Sequence, residues 1–125
     1  MKTSYLCVLL LCVFSAGSSS GNQSPQKDVT TGNGLLGSCQ IHVKSMEDRS
    51  YNENIFEAYR DGYCSGLVFG VSSASPHVCP DERVTSGQQI RVVLKYLQEH
   101  PGELHLDDAM LVEKALAKAF PCPKE

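Results

Sequence analysis

Residues 79–122 read CPDERVTSGQQIRVVLKYLQEHPGELHLDDAMLVEKALAKAFPC. Two helical patterns meet at His100-Pro101-Gly102, and a cysteine closes each outer end. Pro101 lies 22 residues after Cys79 and 21 before Cys122, so folding the stretch at the proline as an antiparallel helix pair brings the two thiols together. The spacing predicts a helical hairpin clamped by Cys79 and Cys122, and in the chain-entropy view closing a loop of that size contributes roughly 4 kcal/mol.

The first arm of the hairpin opens on Thr85-Ser86-Gly87-Gln88. The threonine hydroxyl can accept from the Gln88 amide while the glutamine side chain answers the Thr85 amide, which is the reciprocal arrangement that starts a helix. Ile90, Val93, Leu94 and Leu97 follow on one face. The branched residues from Ile90 to Leu97 suit a strand as well, but the i, i+3, i+4, i+7 spacing selects helix. Pro101 and Gly102 stop it. The second arm runs from about Leu106 to Phe120, with Asp107 and Asp108 in its first turn, where the helix dipole favours negative charge. Val112, Ala115, Leu116, Ala119 and Phe120 are expected to face inward, and Pro121 ends the arm before Cys122.

Working toward the N-terminus, two more amphipathic segments appear. Leu35, Leu36, Cys39, Val43 and Met46 recur at helical spacing after a candidate cap at Asn33. From about Asn52 to Val71, Phe56, Tyr59, Tyr63, Leu67 and Val71 form the expected core stripe. Beside them Ala58, Gly62, Gly66 and Gly70 make a ridge of small residues at intervals of four. Glycine inside a helix costs roughly 1 kcal/mol against alanine. The ridge therefore predicts close packing of another helix on Gly62, Gly66 and Gly70, within the chain or across a dimer. Arg60 and Asp61 exclude a bilayer as the setting for that pattern. The fold class expected from these segments is all-α, a small disulfide-stabilised bundle of about four helices.

The remaining N-terminal sequence divides in two. Residues 1–17 have a short basic start, an apolar run from Tyr5 to Phe14 and the small residues Ser15-Ala16-Gly17, as a secretory signal peptide does. About ten apolar residues are too few for the ~20 of a membrane span, and Leu11 before Cys12 does not fit a lipoprotein signal. Residues 18–32 are rich in Ser, Gly, Asn and Gln and are expected to be a disordered tether. Residues 33–123 make the domain. Removing residues 1–17 takes away Lys2, Cys7 and Cys12, which leaves four of the six cysteines and moves the formal charge from −3 to −4. An even cysteine count in a small exported chain points to two disulfides. Cys79 with Cys122 and Cys39 with Cys64 is the preferred pairing. Cys64 with Cys79, leaving Cys39 for Cys122, is the rival.

Residues able to support catalysis are scattered. His42, His77, His100 and His105 lack metal-ligand spacing, so no metal and no cofactor are expected. There is no GxSxG elbow and no phosphate-binding glycine loop. Glu47, Asp48, Asp61, Asp107 and Asp108 could supply an acid and a base, but their placement matches solvated helix faces. The negative charge and dispersed basic residues disfavour nucleic acid. No catalytic role is expected, which leaves protein association as the activity.

The ordered set Tyr63-Cys64-Ser65-Gly66-Leu67-Val68-Phe69-Gly70-Val71, Cys79-Pro80, Val84-Thr85-Ser86-Gly87-Gln88, Val92-Val93-Leu94-Lys95-Tyr96-Leu97, His100-Pro101, Leu104-His105, Ala115-Leu116 and Ala119-Phe120-Pro121-Cys122-Pro123 resembles the Rap/Tai immunity proteins of type VI secretion. The resemblance spans about Leu35 to Pro123. It implies a periplasmic, all-helical, disulfide-bonded domain, often dimeric, that binds a cognate secreted effector, a peptidoglycan amidase, and blocks its active site. The matching residues are those read above as core, caps and disulfides, so no partner-binding position is carried over. The alternative is a periplasmic helical structural or binding module that has kept the scaffold for a different partner and has no toxin target.

Overall fold

The computed structural model describes residues 30–124; the predicted signal peptide and all but the last three residues of the tether, 30–32, lie outside them. Four helices carry the fold: α1 (Gly32–Glu47), α2 (Ile55–Ala74), α3 (Ser86–Glu99) and α4 (Asp108–Ala119). A single 3-10 turn, Pro101–Glu103, joins α3 to α4. The chain is an all-α bundle, and among the described residues β pairing is limited to the isolated bridges Thr31 with Asp107 and Val78 with Pro121.

Local chemistry fixes where each helix begins. Thr85 and Gln88 form the reciprocal cap at the start of α3. Asn54 and Glu57 form an equivalent one at α2, which begins at Ile55 where the sequence pattern placed the start at about Asn52. Asp107 caps α4 by accepting from the Met110 amide at 3.0 Å. The N-terminus of α1 has no side-chain cap bond. Its free amides are met by the α3–α4 connection instead: Gly32 N–H donates to the Leu106 carbonyl at 3.0 Å and Asn33 N–H to that of Leu104 at 2.9 Å. Gly32 permits this approach, since a Cβ there would stand 2.9 Å from the Leu104 Cα and 2.5 Å from a Leu111 methyl.

The core gathers Leu35 and Cys39 of α1, Cys64 and Val68 of α2, Ile90, Val93, Leu94 and Leu97 of α3, and Leu111, Val112, Ala115 and Leu116 of α4. Truncating one of the buried leucines to alanine costs about 2–5 kcal/mol, a large share of what so small a core can supply. Cys39 is bonded to Cys64 inside this core, with both residues fully buried, and Cys79 is bonded to Cys122 near the surface. The second bridge joins the segment before α3 to the end of α4, where the Cys79 amide also donates to the Phe120 carbonyl at 2.9 Å.

Several expected orientations are corrected. Phe56 and Tyr59 are not core residues: they are 78% and 59% exposed. The buried stripe of α2 is Cys64 and Val68, with Tyr63, Leu67 and Val71 packed at its margin. Gly62, Gly66 and Gly70 face outward, and a Cβ added to any of them would meet nothing within 4 Å, so among the described residues no helix packs on the ridge. In α4 it is Leu111 rather than Ala119 that is buried, and Met46 of α1 is 39% exposed. Asp108 is not a solvated charge but is 4% exposed.

Candidate partner-binding surfaces

The charged residues of α2 explain its rotation. Glu57, Arg60 and Asp61 are only partly exposed and turn toward the loop before the helix and toward α1. Arg60 lies across α1, donating from Nε to the Ser38 hydroxyl and from Nη2 to the Gly34 carbonyl, both at 3.4 Å. Gly37 leaves the space, because a Cβ there would collide with the guanidinium. One turn further on, the Asp61 carboxylate meets His42 Nδ1. These contacts consume the polar groups of the helix on its inner side.

What remains outward is apolar or neutral. Ile55 is 80% exposed and Phe69 64% exposed, and the open glycine ridge runs between them. None of the residues at 55, 58, 59, 62, 65, 66, 69, 70 and 73, which share this face, carries a charge.

The connection from α1 to α2, residues 48–54, forms a second surface. Its order comes from Tyr51, whose ring lies beneath Lys44 Nζ at 3.8 Å and whose hydroxyl donates to Glu57 Oε1 at 2.6 Å. The bond to Glu57 pushes the tyrosine up to about 12 and holds the Glu57 carboxyl below its ordinary range. Asp48 accepts from the amide of Ser50 at 2.9 Å and from its hydroxyl at 2.5 Å, which likewise lowers its carboxyl. Glu53 Oε1 is shielded from solvent and has no hydrogen-bond partner among the described residues. Asp48 and Glu53 against Arg49 give the loop a net charge of −1, and the Tyr51 and Asp48 contacts order it.

At the α3–α4 corner, Tyr96 stacks on His100 with ring centroids 3.9 Å apart. Its hydroxyl donates to Glu103 Oε2 at 3.0 Å, and Lys114 Nζ donates to the same oxygen at 2.8 Å. The Lys114 contact, followed by the tyrosine, lowers the Glu103 carboxyl. Behind this corner Val92, Lys95, Tyr96, Glu99, Ala115, Lys118 and Ala119 line a shallow groove of about 340 Å³ between α3 and α4.

The candidate acids and bases do not converge. Glu47 faces Arg91 at 3.4 Å, Asp48 orders its loop, Asp107 caps α4, Asp61 meets His42, and Asp108 accepts from the Tyr63 hydroxyl. The pairing of His42 with Asp61 spans 19 residues and two helices, so no sequence spacing announces it. Among the described residues no group of three or more His, Cys, Asp and Glu side chains is placed to hold a metal ion, and no helix is long and apolar enough to cross a membrane.

No curated protein and no solved structure matches the chain. The family model described as Rap1a immunity proteins matches residues 31–122, which takes in all four helices and both disulfides. The match spans the helices, caps and cross-links of the bundle, and with it comes the role of an immunity protein against a secreted effector: the chain belongs to the Rap1a immunity protein family.

Proposed function

We propose that the chain is exported to the periplasm and there binds and inhibits a type VI secretion effector, an amidase that cuts peptidoglycan peptides. Family membership over residues 31–122 carries this reading. Two disulfides agree with an oxidising compartment, and residues 1–17 have the pattern of an export signal.

The 48–54 loop is the element suited to entering an enzyme cleft. Inhibition by occlusion needs a projecting segment that loses little conformational freedom on docking. Tyr51, held between Lys44 and Glu57, supplies that order. Asp48 and Glu53, against Arg49, leave the loop with a net negative charge. A second copy of the chain is the other partner in this reading.

The test is coexpression with the toxin encoded beside the gene. Rescue by the wild-type chain and loss of rescue with Glu53→Lys, in a variant that keeps its melting temperature, support occlusion through the loop. A chain that neither binds nor neutralises the neighbouring toxin favours the alternative, a periplasmic binding module with a different partner.

A further inference from the structure

The groove between α3 and α4 sets one lysine from each helix beside small apolar side chains. Val92, Lys95, Tyr96 and Glu99 recur along one face of α3, and Ala115, Lys118 and Ala119 along the facing side of α4. Its volume, about 340 Å³, falls at the small end of the range for sites that hold low-molecular-weight ligands, and such sites are mostly apolar with a few placed polar groups. Two lysines against one glutamate leave an excess of one positive charge here, in a chain whose formal charge is −3. Lys95 meets Glu99 only at 3.8 Å, with side chains 74% and 57% exposed, and a pair so open contributes little. Lys118 makes no ion pair among the described residues. The neighbouring polar groups are already engaged, since the Tyr96 hydroxyl and Lys114 both donate to Glu103.

We propose that the groove binds a short free peptide with small apolar side chains and more than one carboxylate, the class of product that an amidase releases from peptidoglycan. Lys95 and Lys118, on opposite walls, call for two carboxylates on one ligand. Val92, Ala115 and Ala119 receive its methyl groups. The lining from Val92 to Glu99 covers two turns, about 10 Å of helix, which matches a few residues of extended chain at ~3.3 Å each. A stable contact with a whole protein would need about 800 Å² on each partner, more than so short a groove presents. The chain would thus take up the product of the enzyme that it blocks, and the choice of peptide rests on the amidase target proposed above. Two exposed ion pairs and a few methyl contacts make a weak site, with a dissociation constant on the order of 1 mM.

Amide NMR on the protein purified from the periplasm tests this, with the tripeptide alanyl-glutamyl-diaminopimelic acid as the probe. Saturable shifts should gather on residues 92–99 and 115–119, and trialanine amide, which has no carboxylate, should produce none. Lys95→Glu combined with Lys118→Glu should weaken binding roughly 5-fold or more. Ala119→Phe should abolish it by filling the groove, with the melting temperature unchanged because Ala119 is exposed. Lys124→Glu, outside the groove, should leave binding as it is; an equal loss there would mean charge attraction without a site and overturn the proposal. Shifts spread over the whole surface, or binding indifferent to Ala119→Phe, also overturn it. The titration needs no effector, so the two readings fail separately. A chain that rescues cells from the toxin yet gives no groove shifts overturns the groove alone. One that gives the shifts and fails to rescue supports the groove and counts against the amidase target.

Discussion

The Tyr63 hydroxyl donates to the Asp108 carboxylate at 2.5 Å, tying the middle of α2 to the first turn of α4. Asp108 is almost wholly buried, and its other oxygen accepts from the Ala109 amide at 2.8 Å. A buried carboxylate deprived of one donor retains its desolvation cost. Tyr63→Phe should therefore destabilise the fold by about 1–3 kcal/mol, read as a lower midpoint in urea denaturation. An unchanged midpoint would show that the bond contributes nothing.

The same bond sets a dependence on pH. Burial, then the bond to Asp108, raises Tyr63, while the bond to Glu57 takes Tyr51 to about 12 and burial with Glu103 raises Tyr96. An unfolded tyrosine ionises near 10. Groups raised in the folded state contribute stability that is present in full below that value and lost as pH climbs through the folded one. Stability should hold at pH 8–9 and fall from about pH 10 upward, and Tyr63→Phe should reduce the steepness of that fall. A denaturation series in alkaline buffers checks it; a slope that Tyr63→Phe leaves unaltered would contradict this assignment.

Two glycines predict substitutions of opposite sign. Gly32→Ala drives a methyl into the Leu104 backbone and Leu111, and should destabilise by about 1–3 kcal/mol, as overpacking does. Gly66→Ala adds a methyl where nothing lies within 4 Å, and should stabilise the monomer by about 1 kcal/mol through helix propensity. Thermal melts at low micromolar concentration distinguish the two. Equal effects would mean that packing around Gly32 is looser than the structure has it.

The two disulfides differ in access. Cys39 and Cys64 are fully buried, whereas Cys79 is exposed and Cys122 half-buried. A thiolate must reach a sulfur to open a disulfide. Under mild reductant in native buffer, Cys79–Cys122 should be alkylated first, and Cys39–Cys64 only on unfolding. Mass mapping of timed samples follows the order; simultaneous labelling would argue against it.

The fold was legible where one face alone carries the apolar residues. Ile90, Val93, Leu94 and Leu97 leave α3 a single way to lie, and Thr85 with Gln88 states where it begins. In α2 the signal is divided. Its apolar residues occupy two faces, one meeting the core through Cys64 and Val68 and one meeting solvent through Ile55, Tyr59 and Phe69, and spacing cannot say which face is inward. Arg60 and Asp61 would have been the guide only if their partners, Gly34, Ser38 and His42, could be recognised across the turn. Gly37 is the local trace of that packing, being a small residue opposite a long one. The family was legible in the ordered cap, core and cysteine residues, which hold the scaffold. The order of the 48–54 loop is not legible in the sequence, because it arises from Lys44 and Glu57 on the two flanking helices.

Neutralisation of the neighbouring toxin is the most direct measurement of the central claim, that this chain is an immunity protein acting on a secreted effector. The toxin is directed to the periplasm of a susceptible host with and without the chain, and the complex is then sought by size-exclusion chromatography. Restored growth together with a stoichiometric complex is the expected result. Continued lysis, with the two proteins eluting separately, would contradict it.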